Sequence, residues 1–325
     1  MNILKKKNIV AAMLLSFCIF NTTATAQMFA QNLKRDSARS DKHTGGKIEK
    51  TALVRGDADI KITVNVPSFQ LTLWQNGKEV KNYLVGVGLK DFPIAIGLRE
   101  ASDVIWNPNW IPPASDWVTG HKGVKAGEVI KPTDPRNPLG KLKIPLGGGY
   151  LIHQAKGIGD LGGLVSHGCV RMLRADLYDL AEKIVMARSL PVSRKQIELA
   201  KRTKKTLTAP LDPSVPVEIT YDTQVVEAGR LHIYPDVYDY KTKTVKNLRE
   251  ELESSGVDSS HLNDKTLERM LAQAAAKKQF VVGTASIKSG RALTAGRTFS
   301  VLARGTEPTA PKRTNGTIRQ RRASR

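Results

Sequence analysis

The sequence predicts a mainly β chain with a helix after its central motif, and three observations carry that expectation. Ile60, Ile62, Val64 and Val66 alternate with polar residues, the period-two pattern of a half-buried strand. Leu71 and Leu73 continue that alternation to Asn76-Gly77, a strong hairpin signal, with Tyr83 to Val87 as the returning strand. Leu173, Leu177, Leu180 and Ile184 then recur at helical spacing, with Ala181 and Val185 on the same broad face.

Ahead of the first strand, Lys5, Lys6 and Lys7 precede an apolar stretch from Ile9 to Phe20 and then Ala24-Thr25-Ala26. A basic start, a short apolar run and a small-x-small site are the parts of a cleavable signal peptide, here residues 1–26. Phe17 before Cys18 is too bulky for a lipoprotein site, so Cys18 is expected to leave with the leader. Export to the periplasm follows as the expectation. Residues 27–57 are polar, mixed in charge and weakly apolar, as a flexible tether would be.

Beyond the hairpin, Trp106 to Pro113 reads Trp-Asn-Pro-Asn-Trp-Ile-Pro-Pro, which proline excludes from regular structure. Its two tryptophans, Trp106 and Trp110, are placed either to line a substrate groove or to plug one end of the core. Gly147-Gly148-Gly149 lacks the Gly-Lys-Ser/Thr of a phosphate loop and reads as a tight turn before a strand, Tyr150 to His153. After the helix, Pro191 ends the unit, and Arg194 to Lys205 is a basic helix face or linker. Val215 to Ile219 and Leu231 to Ile233 look like a strand pair extending the sheet. A helical pattern with Leu267, Met270, Leu271 and Ala274 follows Asn263-Asp264 as a cap. Residues 286–325 hold ten Lys or Arg against one Glu and few large apolar residues, so disorder is expected there.

The formal net charge of +21 favours anionic surroundings: envelope polymers, anionic headgroups or nucleic acid. Export weighs against nucleic acid, and no basic aromatic sheet or recognition-helix pattern supports it.

Without the leader, one cysteine remains, inside Ser166-His167-Gly168-Cys169-Val170-Arg171. A lone cysteine in an exported protein has no internal disulfide partner, which makes a reactive thiol the leading reading. A thiol nucleophile needs a base and oxyanion donors, and His153, His167 and the backbone at Gly168 offer them. The helix that follows puts the thiol near a helix N-terminus, where a thiolate is favoured. Three chemistries remain open on these residues. Cys169 forms a thioester with His153 shuttling protons; or His153, His167 and Cys169 bind zinc, with Asp160 as a conceivable fourth ligand; or the chain is a non-catalytic wall-binding protein.

The block from His153 to Arg171, with Ser-His-Gly-Cys-Val-Arg at its end, resembles the signature of the L,D-transpeptidase catalytic domain, the YkuD family. The opening strands, the Asn-Pro-Asn-Trp-Ile-Pro-Pro loop and Pro138-Leu139-Gly140 are similar to the branch found in Gram-negative envelopes. The resemblance covers about Ile60 to Leu190. It departs at Gln154-Ala155, where the family often has a small residue after the first histidine.

This resemblance implies a β-sandwich of mixed sheets with a capping helix and no cofactor or metal. Cys169 would be the nucleophile and His153 the general base and acid. Backbone N–H groups of His167, Gly168 and Cys169 would hold the oxyanion, with Ser166 and His167 supporting the turn. Weighed by residue type alone, Arg171 either pairs with a substrate carboxylate through its planar fork or forms a buried ion pair holding the loop, and Trp110 is the candidate substrate-groove residue. The implied donor is a peptidoglycan tetrapeptide stem that loses its terminal D-alanine. The acceptor is an amine of a second stem or of a wall-anchored lipoprotein; with water the enzyme would be a hydrolase. The expected organisation is a leader (1–26), tether (27–57), catalytic domain (58–190), basic linker and β extension (191–240), helical segment (241–285) and disordered basic tail (286–325). That tail is expected to touch the envelope.

Overall fold

The computed structural model describes residues 60–119, 123–188 and 192–301. The expected leader and tether, and the tail beyond Val301, lie outside the described residues. Ile60–Asn65 form strand β1, with Ile60, Ile62 and Val64 buried by their alternation. The alternation does not run unbroken to Asn76 as expected. Pro67 cannot donate to a ladder, and Phe69 at φ 53° reverses the chain into β2, Gln70–Gln75. The two strands pair antiparallel with Ile62 opposite Leu73. Asn76 and Gly77, both at positive φ, make the expected hairpin to β3, Lys78–Leu84.

The chain continues through β4 (Val87–Gly88), β5 (Gly97–Trp106) and a short helix α1 (Asp116–Thr119). It then forms β6 (Leu142–Pro145), β7 (Leu151–Gln154), β8 (Leu164–Ser166) and β9 (Val170–Met172). The helix expected after the motif is α2, Arg174–Ala187. Its Leu177, Leu180, Ala181, Ile184 and Val185 share one core with Leu142, Ile144, Ile152, Val170 and Met172.

The expected domain boundary at residue 190 falls too early. Ser193 and Gln196 form a capping box that starts α3, Arg194–Arg202, and the chain then enters β10, Leu207–Thr220. β10 lies in the middle of an eight-stranded sheet of order β3-β2-β1-β10-β5-β6-β7-β9. It runs parallel to β1, with Val217 opposite Ile62, and antiparallel to β5, with Val217 opposite Arg99. Val215 to Ile219 therefore fill the sheet's centre and do not pair with Leu231 to Ile233. With β7 and β9 also parallel, the sheet is mixed and the protein mainly β.

Leu231 belongs to a second unit built on an antiparallel sheet, β11 (Gln224–Glu227), β12 (Arg230–Ile233), β13 (Lys278–Gly283) and β14 (Arg297–Ser300). Helices α4 (Val245–Ser254), α5 (Asp264–Ala272), α6 (Thr284–Lys288) and α7 (Ala292–Ala295) complete it. Asn263 caps α5 as the sequence suggests, its side chain accepting from the Thr266 N–H. Residues 241–285 are thus not purely helical, and 286–301 are ordered rather than disordered. The reason is economy of apolar residues: Ile287 and Ala292 are buried among Leu231, Leu248, Leu267 and Phe280, while Lys288, Arg291 and Arg297 stay exposed. Val301 reaches the main core.

Among the described residues no helix is long and apolar enough to cross a membrane. Ile287→Ala is expected to cost about 2–5 kcal/mol in urea unfolding, the usual range for truncating a buried Ile. An unchanged midpoint would show that residues 286–301 contribute nothing to the second core.

Candidate active site

The apolar residues of three neighbouring strands decide which side chains are left to face the other way. Leu142 and Ile144 on β6, Ile152 on β7, and Val170 and Met172 on β9 all enter the main core. Alternation then turns Lys143, Leu151, His153 and Arg171 to the opposite face. Register sets Lys143 opposite His153 and His153 opposite Arg171, a polar row across the three strands. Ile152 opposes Val170, so the next positions back set Leu151 beside Cys169. Cys169 thus shares the face of His153 at a diagonal position, roughly 7–8 Å apart along the backbone and within side-chain reach. Over this face lies a small cluster of Trp110, Ile130 and Leu139, against which Trp117, Val124 and Leu151 pack.

The turn carrying Cys169 is held from several sides. The buried Ser166 hydroxyl donates to the Cys169 carbonyl at 2.6 Å, closing the turn on itself. The Leu89 N–H donates to the Ser166 carbonyl at 2.8 Å. Gly168 has φ +100°, and a Cβ there would lie 2.8 Å from the Tyr150 ring, so both backbone and space require glycine. Behind the turn, the Tyr238 hydroxyl donates to the Gly88 carbonyl at 3.0 Å, so the segment that leads into the second unit braces the strand against Gly168. Among the described residues the N–H groups of Gly168 and Cys169 find no acceptor, which leaves them available to an oxyanion.

The other expected site residues divide. The His167 ring stacks on Trp117 at 4.3 Å and meets Phe92 edge-on at 4.6 Å. It supports the turn, and among the described residues no group of three His, Cys, Asp or Glu is placed to hold a metal ion. Trp110 is 6% exposed, its indole stacked behind Trp117. It plugs the covering cluster instead of lining a groove, while Trp106 is wholly inside the main core. Arg171 pairs with Asp160 at 3.1 Å, and Asp160 also accepts the Lys156 N–H at 2.8 Å. Of the two roles expected for Arg171, the structure shows the ion pair that holds the loop.

Electrostatics corrects the expectation of a ready thiolate. Burial pushes the Cys169 thiol above its ordinary range, against weaker opposite pulls from a backbone hydrogen bond at Leu151 and the charge of Arg171. β9 also stands between Cys169 and the start of α2, so the helix terminus is not at the sulfur. Burial, then Arg171, lowers His153 from 6.5 to about 4, with a backbone hydrogen bond at Gln154 pulling the other way. The resting pair is therefore a neutral thiol and a neutral imidazole. His153 Nδ1 is buried without a hydrogen-bond partner, leaving it open to take a proton.

Sequence reasoning missed Asp160 as the partner of Arg171, and it missed Trp117, Tyr150 and Lys143. Nothing local marks Asp160 or Trp117, since both meet the motif only through folding. Gln154 has a structural reason to be there: its Oε1 accepts the Lys141 N–H at 3.0 Å and its side chain fills the space beside Gly140.

A half-buried thiol on the face of a neutral histidine, with backbone N–H groups beside it, is an arrangement that cysteine acyl transfer could use. Residues 59–215 match the L,D-transpeptidase catalytic domain of the YkuD family, and this part of the chain is such a domain. A Haemophilus influenzae protein assigned to the L,D-transpeptidases is 26% identical over 223 residues, covering 55% of this chain and 44% of that protein. YbiS of Escherichia coli K12, assigned to the same class, is 29% identical over 122 residues, covering 34% of this chain and 40% of its own. The chain thus spans less than half the length of these curated relatives. Among solved structures, an L,D-transpeptidase from Mycobacterium smegmatis aligns at TM-score 0.32 and 12% identity, over 50% of this chain and 58% of that one.

A neutral resting thiol predicts that alkylation of Cys169 by iodoacetamide, followed by peptide mapping, accelerates with pH up to and beyond about 9, the ordinary thiol range. A rate that levels off by about pH 6–7 would instead reveal a preformed thiolate.

Proposed function

We propose that this protein is a peptidoglycan L,D-transpeptidase working through a thioester on Cys169. The observation that carries the reading is that Cys169 and His153 share one face of neighbouring strands, beside a turn with free N–H donors. The donor is a tetrapeptide stem, a substrate taken from the family resemblance. As its third-residue carbonyl approaches Sγ, His153 takes the thiol proton and the sulfur bonds to the carbonyl carbon. The N–H groups of Gly168 and Cys169 meet the oxyanion. The imidazolium, which its surroundings disfavour, then gives its proton to the leaving nitrogen. The C–N bond breaks and D-alanine departs.

An amine from a second stem or from a wall-anchored lipoprotein next attacks the thioester and passes a proton to His153. That proton returns to the sulfur as it leaves, and the resting thiol is restored. No cofactor enters this sequence. Export and an envelope contact by the basic residues beyond Val301 belong to the same proposal; fractionation that places the protein in the cytoplasm would contradict it.

Incubation with tetrapeptide-bearing muropeptides, followed by mass spectrometry, tests the chemistry. Cross-linked dimers and free D-alanine are expected from the wild type, with turnover abolished in Cys169→Ala and the fold kept. An alanine variant with near-normal turnover would sink the thioester.

A further inference from the structure

The polar row on the catalytic face contains a cation that the proposed chemistry does not use. Lys143 stands in register between Ile105 of β5 and His153 of β7. Its Nζ donates to the Asn109 carbonyl at 3.3 Å, and among the described residues it is in no salt bridge. Burial works against its charge, and the Asp103 carboxylate works for it from a distance. Arg171, at the other end of the row, is already held by Asp160. Lys143 is thus a half-buried ammonium in register with His153, hydrogen-bonded to a backbone carbonyl and, among the described residues, in no salt bridge. Such a group is stabilised by an arriving anion.

We infer that Lys143 binds the free carboxylate that ends the donor peptide, one residue beyond the bond that is cut. This deepens the proposed function and rests on it. The order of groups across the face carries the argument. Cys169, His153 and Lys143 come from three successive backbone columns spaced by about 4.8 Å. Along the leaving residue come, in the same order, the carbonyl carbon that meets sulfur, the nitrogen that needs a proton and the terminal carboxylate. From first to last those atoms span less than about 4 Å, and the long lysine stem closes the remaining distance. A carboxylate seated at Lys143 also adds negative charge next to His153, easing the proton transfer that burial and Arg171 oppose.

The same geometry makes the site a length gauge. A donor longer by one residue would bring a neutral amide to Lys143. Its carboxylate would be carried on toward Ile105 and Asp103 of β5, an apolar and an acidic side chain. Specificity here comes from a missing charge partner at one end and an adverse one beyond it.

The test compares two tetrapeptide donors, one ending in a free carboxylate and one in a carboxamide, by the rate of thioester formation on Cys169 in intact-protein mass spectra. Wild-type protein is expected to prefer the carboxylate at least about tenfold in kcat/KM, mostly through KM, as the loss of one charge-assisted hydrogen bond would give. Lys143→Gln should shrink that ratio toward one, and Lys143→Arg should restore part of it, with melting curves showing that both variants fold. Equal use of the two donors by the wild type, or an undiminished ratio in Lys143→Gln, would overturn the role of Lys143 alone. Failure of both donors to form a thioester on wild-type protein would overturn the transpeptidase reading and this inference with it.

Discussion

A one-residue slip of β9 along β7 would carry Val170 out to the covered face and drive Arg171 into the core. The pairing of Ile152 with Val170 prevents this, because both side chains are buried in the same apolar cluster as α2. Burial of the apolar set on one face therefore fixes the polar set on the other, to the residue. The cysteine sits one position before this ladder, and its relation to His153 depends on the same register. The order of side chains on this face is a by-product of core packing.

The second consequence of burial is electrostatic. The environment that fixes the pair also disfavours charge on both members, raising the thiol and lowering the imidazole. On the proposed mechanism, a neutral resting pair would keep the sulfur from stray electrophiles and leave its activation to the arriving substrate. In the proposed reaction, an imidazolium formed at His153 would be a strong acid in these surroundings, suited to protonating an amine leaving group. The linkage sign follows. His153 contributes its full stability above about 6.5 and loses it as pH falls toward about 4, because protonating the buried ring opposes folding.

Much of this was legible in the sequence wherever a local pattern and the fold agree. The alternation of Ile60 to Val64, the Asn76-Gly77 hairpin and the apolar stripe of α2 needed no distant partner to be read. Cys169 and His153 stood out by residue type and neighbours. What failed were statements about partners. Val215 to Ile219 were read as a strand, yet their neighbours are β1 and β5, more than a hundred residues earlier. The expectation of a disordered stretch after residue 285 counted charges and overlooked that Ile287, Ala292 and Val301 complete cores already built. A helix terminus does not favour a thiolate at Cys169, because the three residues of β9 separate sulfur from helix. Lys143 carries no sequence signal at all: only its register with His153 marks it.

In the resting protein a neutral His153 accompanies a neutral thiol. The most direct measurement is the titration of the His153 imidazole by NMR in the substrate-free protein. A midpoint near 4 is expected, with the ring neutral at pH 7. A ring that is still protonated at pH 7, with a midpoint above the ordinary 6.5, would contradict the account, because it would mean that an imidazolium–thiolate pair is the resting state.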